Sequence, residues 1–99
     1  MSMDGVHRIA LDGEVNIYRA AELRVEVLDA LRRSPVLEID LAGVTELDTA
    51  GLQVLMLAKR TATLEQRELR LLHHSPAVVD IVEMLNLGAF FGDAVLIDS

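Results

Sequence analysis

The alternation of apolar and polar positions divides the chain into short strands and amphipathic helices. Val6 to Leu11 reads as a strand. Asp12-Gly13 is a turn dipeptide of the hairpin kind, so Glu14 to Ile17 is predicted to return beside it. From Ala20 to Arg33 the period turns helical, with Leu23, Val27, Ala30 and Leu31 on one stripe. Arg32 and Arg33 then fall in the last turn, where cations complement the helix dipole, and Ser34-Pro35 stops the helix. Leu37, Ile39 and Leu41 alternate along a strand from Val36 to Leu41, which follows a helix that itself follows a strand. That order predicts a parallel crossover. Ala42 to Leu47 reads as a loop, and a second helix is predicted from Ala50 to Gln66, with its first half deeply buried through Leu52, Val54, Leu55, Met56, Leu57 and Ala58.

Glu68 to His73 is a further strand, with Leu69, Leu71 and His73 on one face. Ser75-Pro76 opens a third helix, since Ser is a preferred N-cap and Pro fits the first helical position. Val78, Ile81, Val82 and Leu85 form its stripe, Gly88 suits its C-terminal end, and Val95-Leu96-Ile97 is short enough for an edge strand. The predicted order is ββαβαβαβ, an α/β fold in a single domain spanning residues 1–99.

Composition narrows the classes of function. Hydrophobic residues make up 52% and charged residues 25% of the chain, as in an ordinary globular domain. Tyr18, Phe90 and Phe91 are the only aromatics, so aliphatic side chains and Met must build the core. Phe90-Phe91 is expected to close off one end of it. The net charge of −7, with no basic cluster, disfavours direct nucleic-acid binding, because phosphate backbones demand positive charge. The absence of cysteine rules out a disulfide framework, a thiolate metal site and a Cys nucleophile. No apolar run approaches the roughly 18 residues that span a membrane, and the first residues have no signal-like apolar region. The expectation is a cytoplasmic protein that inserts in no membrane and touches one only through a partner.

Catalysis is not expected. His73 and His74 are adjacent on a predicted strand, so they point to opposite faces and cannot jointly hold a metal. One ring is expected to be partly buried and the other solvent-facing. His7 is isolated, and no E-x-x-H or H-E-x-x-H spacing occurs. No catalytic residue, metal ligand or cofactor is therefore assigned. The segment that could carry chemistry is Asp48-Thr49-Ala50-Gly51, where a helix begins. Asp and Thr there act as caps, accepting hydrogen bonds from unpaired N–H groups. A helix N-terminus also receives phosphate well, and phosphorylating Thr49 would add nearly two negative charges beside Asp48 and Glu46. Residue physics alone leaves capping and switching both open.

A resemblance distinguishes them. Ile39-Asp40-Leu41 followed by Asp48-Thr49-Ala50-Gly51-Leu52 resembles the signature of STAS domains, the sulphate-transporter and anti-sigma-antagonist family, in which a strand is followed by a D-S-x-G-L turn. Gly13-Glu14-Val15-Asn16 with Ala20-Ala21-Glu22-Leu23 is similar to the family's G-E-L-D and T-A-x-x-L pieces. Ser75-Pro76-Ala77-Val78 with Met84 and Leu87 resembles its S-P-A-V segment and the helix end beyond it. The match runs along nearly the whole chain in the family's order.

The resemblance implies a mixed sheet with helices packed mainly on one face. It also implies a stand-alone bacterial anti-sigma-factor antagonist in signal transduction and transcription regulation. The implied partner is an anti-sigma factor that is itself a serine/threonine kinase and brings its own ATP. On this reading Thr49 is the phosphoacceptor, since Ala50 occupies the motif's second hydroxyl position. The partner face is expected at Asn16 and Tyr18, taken to lie in the loop before the first helix, together with Asp48, Thr49, Ala50, Gly51 and Leu52. Asn16 stands where the family has Asp. The resemblance extends equally to members that serve lipid-transport ABC complexes or chemotaxis-linked assemblies, so an unphosphorylated assembly subunit is the alternative.

Overall fold

The computed structural model describes residues 5–86. Three strands, β1 (Val6–Val15), β2 (Val36–Leu47) and β3 (Glu68–Leu72), alternate with three helices, α1 (Ile17–Leu31), α2 (Thr49–Leu64) and α3 (Pro76–Met84). The strands form one sheet in the order β1-β2-β3, and both pairings are parallel, as the crossover pattern predicts. The alternating α/β architecture expected from the sequence is therefore present.

The sheet is two-faced because its strands alternate. On one face Leu37 and Ile39 are fully buried, in one core with Leu23, Val27 and Leu31 of α1, Leu52, Leu55 and Ala58 of α2, and Val78 and Val82 of α3. Burying such aliphatic side chains is the main stabilising term of a domain this size, at about 25 cal/mol per Å² of apolar surface. On the other face Arg8, Glu38 and Arg70 stand in register as one rung across all three strands. Glu38 accepts from Arg8 Nη2 at 2.6 Å through Oε1 and from Arg70 Nη1 at 3.2 Å through Oε2. The helices thus cover the apolar face, and a charged ladder marks the opposite one.

Several expected features differ. No hairpin forms at Asp12-Gly13: β1 runs on to Val15, with Asp12 opposite Gly43 and Gly13 opposite Val44 of the parallel β2. The reason is local. A type I′ turn needs positive φ at both central residues and a II′ turn needs it at the first. Here Gly13 has φ 70° and Asp12 is not in the left-handed region. The positive φ accompanies register shifts between β1 and β2 instead of a chain reversal. The sheet is accordingly parallel among the described residues, where a mixed one was expected.

Residues 42–47 are likewise strand and not loop, pairing with the second half of β1 through Gly43, Val44, Glu46 and Leu47. A Cβ on Gly43 would come within 2.8 Å of Asp12 Cβ, so glycine permits the close approach of the two strands there. α1 begins three residues before the expected Ala20, which puts Tyr18 on the helix instead of in a loop. It ends at Leu31, so Arg32 and Arg33 lie just beyond it, and Arg32 pairs with Glu65 at 2.9 Å. Leu85 is exposed rather than in the core stripe of α3. His73 is exposed and His74 buried, the division expected of the pair. Gly88, Phe90-Phe91 and the strand expected at Val95–Ile97 lie outside the described residues.

Candidate functional site

The Asp48–Leu52 turn lies where the C-terminal end of the sheet meets the N-termini of two helices. β1 ends at Val15 and β2 at Leu47, and each is followed by a single capping residue, Asn16 for α1 and Asp48 for α2. Both caps have extended backbone, as an N-cap requires. The Asn16 side chain accepts from the Tyr18 N–H at 3.0 Å. Asp48 does more. Its Oδ1 accepts from the Gly51 N–H at 2.9 Å, capping α2, and its Oδ2 accepts from the Ile17 N–H at 3.1 Å, at the first residue of α1. One carboxylate thus serves both helix starts, where two positive dipole ends converge. The Asp48 N–H donates to the Val15 carbonyl at 3.2 Å, tying the turn to β1.

Gly51 has an equally specific cause. A Cβ there would lie 2.5 Å from the Val15 carbonyl oxygen and 2.9 Å from Leu47 Cδ1, so only glycine lets the first turn of α2 approach the strand ends this closely. Leu52, 2% exposed, points into the core. Of the residues assigned to the partner face, Gly51 and Leu52 therefore lie beneath the surface and shape it from below. Thr49, the first residue of α2, is exposed, and Ala50 and Asn16 are half-buried. Tyr18 is 92% exposed beside Ile17 at 65%, two large apolar groups in the first turn of α1.

The structure brings Asn16, Asp48 and the starts of both helices into one patch. Glu14 and Glu46, both exposed, pair across the strands in register next to it, making its rim acidic. Arg19 straps the strand end from α1, its Nη1 donating to the carbonyls of Asp12 at 2.7 Å and Glu14 at 2.8 Å. Ile17 and Arg19 were not legible as site residues. Val15 and Ile17 are β-branched and read as strand, whereas Asn16 caps the helix that starts at Ile17 and the Ile17 N–H turns to Asp48, 31 residues away.

Chemically, the patch offers two exposed hydroxyls at helix starts, the aliphatic one of Thr49 and the phenol of Tyr18, where the first N–H groups have no intrahelical acceptor. None of the three histidines lies in the turn: His7 is on β1, His73 bonds Asp40 Oδ2 at 3.1 Å, and His74 is buried. Among the described residues no group of three or more His, Asp or Glu could hold a metal ion, and no helix is long and apolar enough to cross a membrane.

The family described as "Mlab, STAS domain" matches residues 2–97. No curated protein sequence matches the chain. Among solved structures, the anti-sigma factor antagonist SpoIIAA in its unphosphorylated form superposes with a TM-score of 0.73 at 20% identity, over 95% of this chain and 84% of that one. An anti-sigma factor antagonist from Mycobacterium paratuberculosis superposes with a TM-score of 0.76 at 23% identity, over 93% of this chain and 79% of that one. At such identities the likeness establishes the fold, and the motif residues occupy a turn whose geometry accounts for them. With the family match over nearly its whole length, the chain belongs to the STAS domain family.

Proposed function

We propose that this chain is an anti-sigma-factor antagonist: a binding module that docks a kinase-type anti-sigma factor on the patch around Asn16, Tyr18 and Thr49, and that phosphorylation of Thr49 ends the docking. One observation carries the reading. Asp48 and Gly51 are committed to holding the turn, by two hydrogen bonds and a close backbone approach, while Thr49 between them is exposed. A phosphate on that hydroxyl would join Asp48, Glu46 and Glu14, giving the patch a concentration of like charge that a docked surface must desolvate. Both structural relatives named above are anti-sigma factor antagonists, which supports the same reading.

The test is to incubate the chain with an anti-sigma-type kinase from the same organism and ATP, and to map phosphate by peptide mass spectrometry. Phosphate on Thr49 alone supports the proposal. Its absence from Thr49 under conditions in which the kinase is active removes the switch. A second reading, an unmodified subunit of a lipid-transport or chemotaxis-linked assembly, is favoured by Ala50, which leaves the motif one hydroxyl. Copurification of a transport ATPase with the chain, in place of a kinase, would select it.

A further inference from the structure

A groove of about 530 Å³ runs between α1 and α2, lined by Ala20, Ala21 and Arg24 on one side and Gln53, Leu57 and Arg60 on the other. It starts at Ala50, next to Thr49. Its chemistry opposes that of the chain as a whole. The sequence has 16 acidic residues against 9 Lys and Arg, yet the described lining has two arginines and no carboxylate. The small side chains of Ala20, Ala21 and Ala50 keep part of the wall low, and Val54, Met56 and Leu57 supply apolar surface. Outside the groove, the exposed Tyr18 and Val25 continue the apolar character along α1.

From this we infer that the α1–α2 groove is a docking site for an acidic amphipathic helix of a partner protein. A helix in a groove anchors through apolar side chains at i, i+3 or i+4, and i+7, and the groove volume is that of a cleft holding several such groups. Carboxylates flanking that apolar stripe would meet Arg24 and Arg60, one on each wall, where charge complementarity fixes orientation. A free phosphate or an anionic headgroup could meet the arginines alone, leaving Tyr18, Val25 and the apolar wall uncovered. A helix covers both. The inference does not depend on the partner being a kinase or on modification of Thr49.

Nuclear magnetic resonance titration of the isotope-labelled chain tests it, using a synthetic helix with leucines at those spacings and glutamates elsewhere. The control is the same helix with lysines for glutamates. The glutamate helix is expected to shift the amides of Ala21, Arg24, Gln53 and Arg60, and to bind about ten-fold or more tightly than the lysine helix. In the double variant Arg24→Glu/Arg60→Glu the preference should reverse. Arg24→Glu alone, at an exposed position, should weaken the glutamate helix several-fold if the double variant does not fold. Equal binding of the two helices, or shifts confined to other surfaces, overturns the inference. So does binding to phosphatidylglycerol vesicles with no binding of the helix, or self-association of the chain through these residues. None of these outcomes bears on phosphorylation of Thr49, so failure here is distinct from failure of the switch.

Discussion

Asp48 accepts two backbone N–H groups from two different helices, and only a carboxylate can do so with both oxygens. Asparagine offers one acceptor and one donor, so Asp48→Asn leaves either Ile17 or Gly51 facing an amide NH₂. Replacing a cap costs about 1 kcal/mol, and a charge-assisted bond costs more than a neutral one. Asp48→Ala is expected to lower unfolding stability by about 2 kcal/mol and Asp48→Asn by about 1 kcal/mol, measured by urea denaturation. Gly51→Ala forces a Cβ against the Val15 carbonyl, backbone against backbone, and is expected to cost about 2 kcal/mol in the same assay. Thr49→Ala, at an exposed position, should stay within about 0.5 kcal/mol of the parent. This contrast separates the residues that build the turn from the one it presents. An Asp48→Ala variant as stable as Thr49→Ala would remove the distinction.

At the scale of elements, legibility followed the range of the forces involved. Helix stripes were readable because burial repeats every three to four residues: Leu23, Val27, Ala30 and Leu31 are all buried in α1. The start of α3 was readable because Ser75 and Pro76 specify it locally, Ser75 Oγ accepting from the Val78 N–H at 3.4 Å. What failed was decided by partners distant in sequence. Asp12-Gly13 carries a hairpin signal, but β2 claims that stretch as a parallel neighbour, and the glycine's positive φ stays within the strand. Residues 42–47 look like a loop because of Gly43, whose lack of a side chain is instead what β1 requires of β2. The turn's Asp48 and Gly51 were legible as motif residues, whereas their contacts with Ile17 and Val15 were not. Nothing stands within 4 Å of a Cβ built on Gly13, so conformational strain alone opposes substitution there. Gly13→Ala is therefore expected to cost about 1 kcal/mol, and Gly13→Asn less, since Asn tolerates the left-handed region. Equal stability of all three in thermal unfolding would show that the positive φ is not needed.

Across the whole molecule, charge is divided by surface: a ladder on the open sheet face, acidic residues beside the turn, arginines in the helix groove. The ladder carries part of the acid sensitivity of the fold, alongside Asp40 and the Glu65 carboxyl paired with Arg32. The Arg8 guanidinium, bonded to Glu38 and joined by Arg70, holds the Glu38 carboxyl below the usual range. The Ala42 N–H and then His73 hold Asp40 low as well. A carboxyl whose pKa is lower folded than unfolded contributes fully above its unfolded value, about 4, and loses that contribution as pH falls through its folded value. Stability should thus be steady in this respect down to about pH 5 and decline below it. Glu38→Gln should flatten that decline, and an unchanged slope would mean that the ladder contributes nothing. The acidic surface beside the turn bears on the central claim, that the charge state of Thr49 controls docking without altering the fold. The most direct measurement is calorimetric titration of the anti-sigma-type kinase with the parent chain, Thr49→Val and Thr49→Glu, alongside their thermal midpoints. Thr49→Glu is expected to bind at least about ten-fold more weakly than the other two, with all three midpoints nearly equal. Equal affinity of Thr49→Glu and the parent, or a loss of binding that tracks a fallen midpoint, would contradict it.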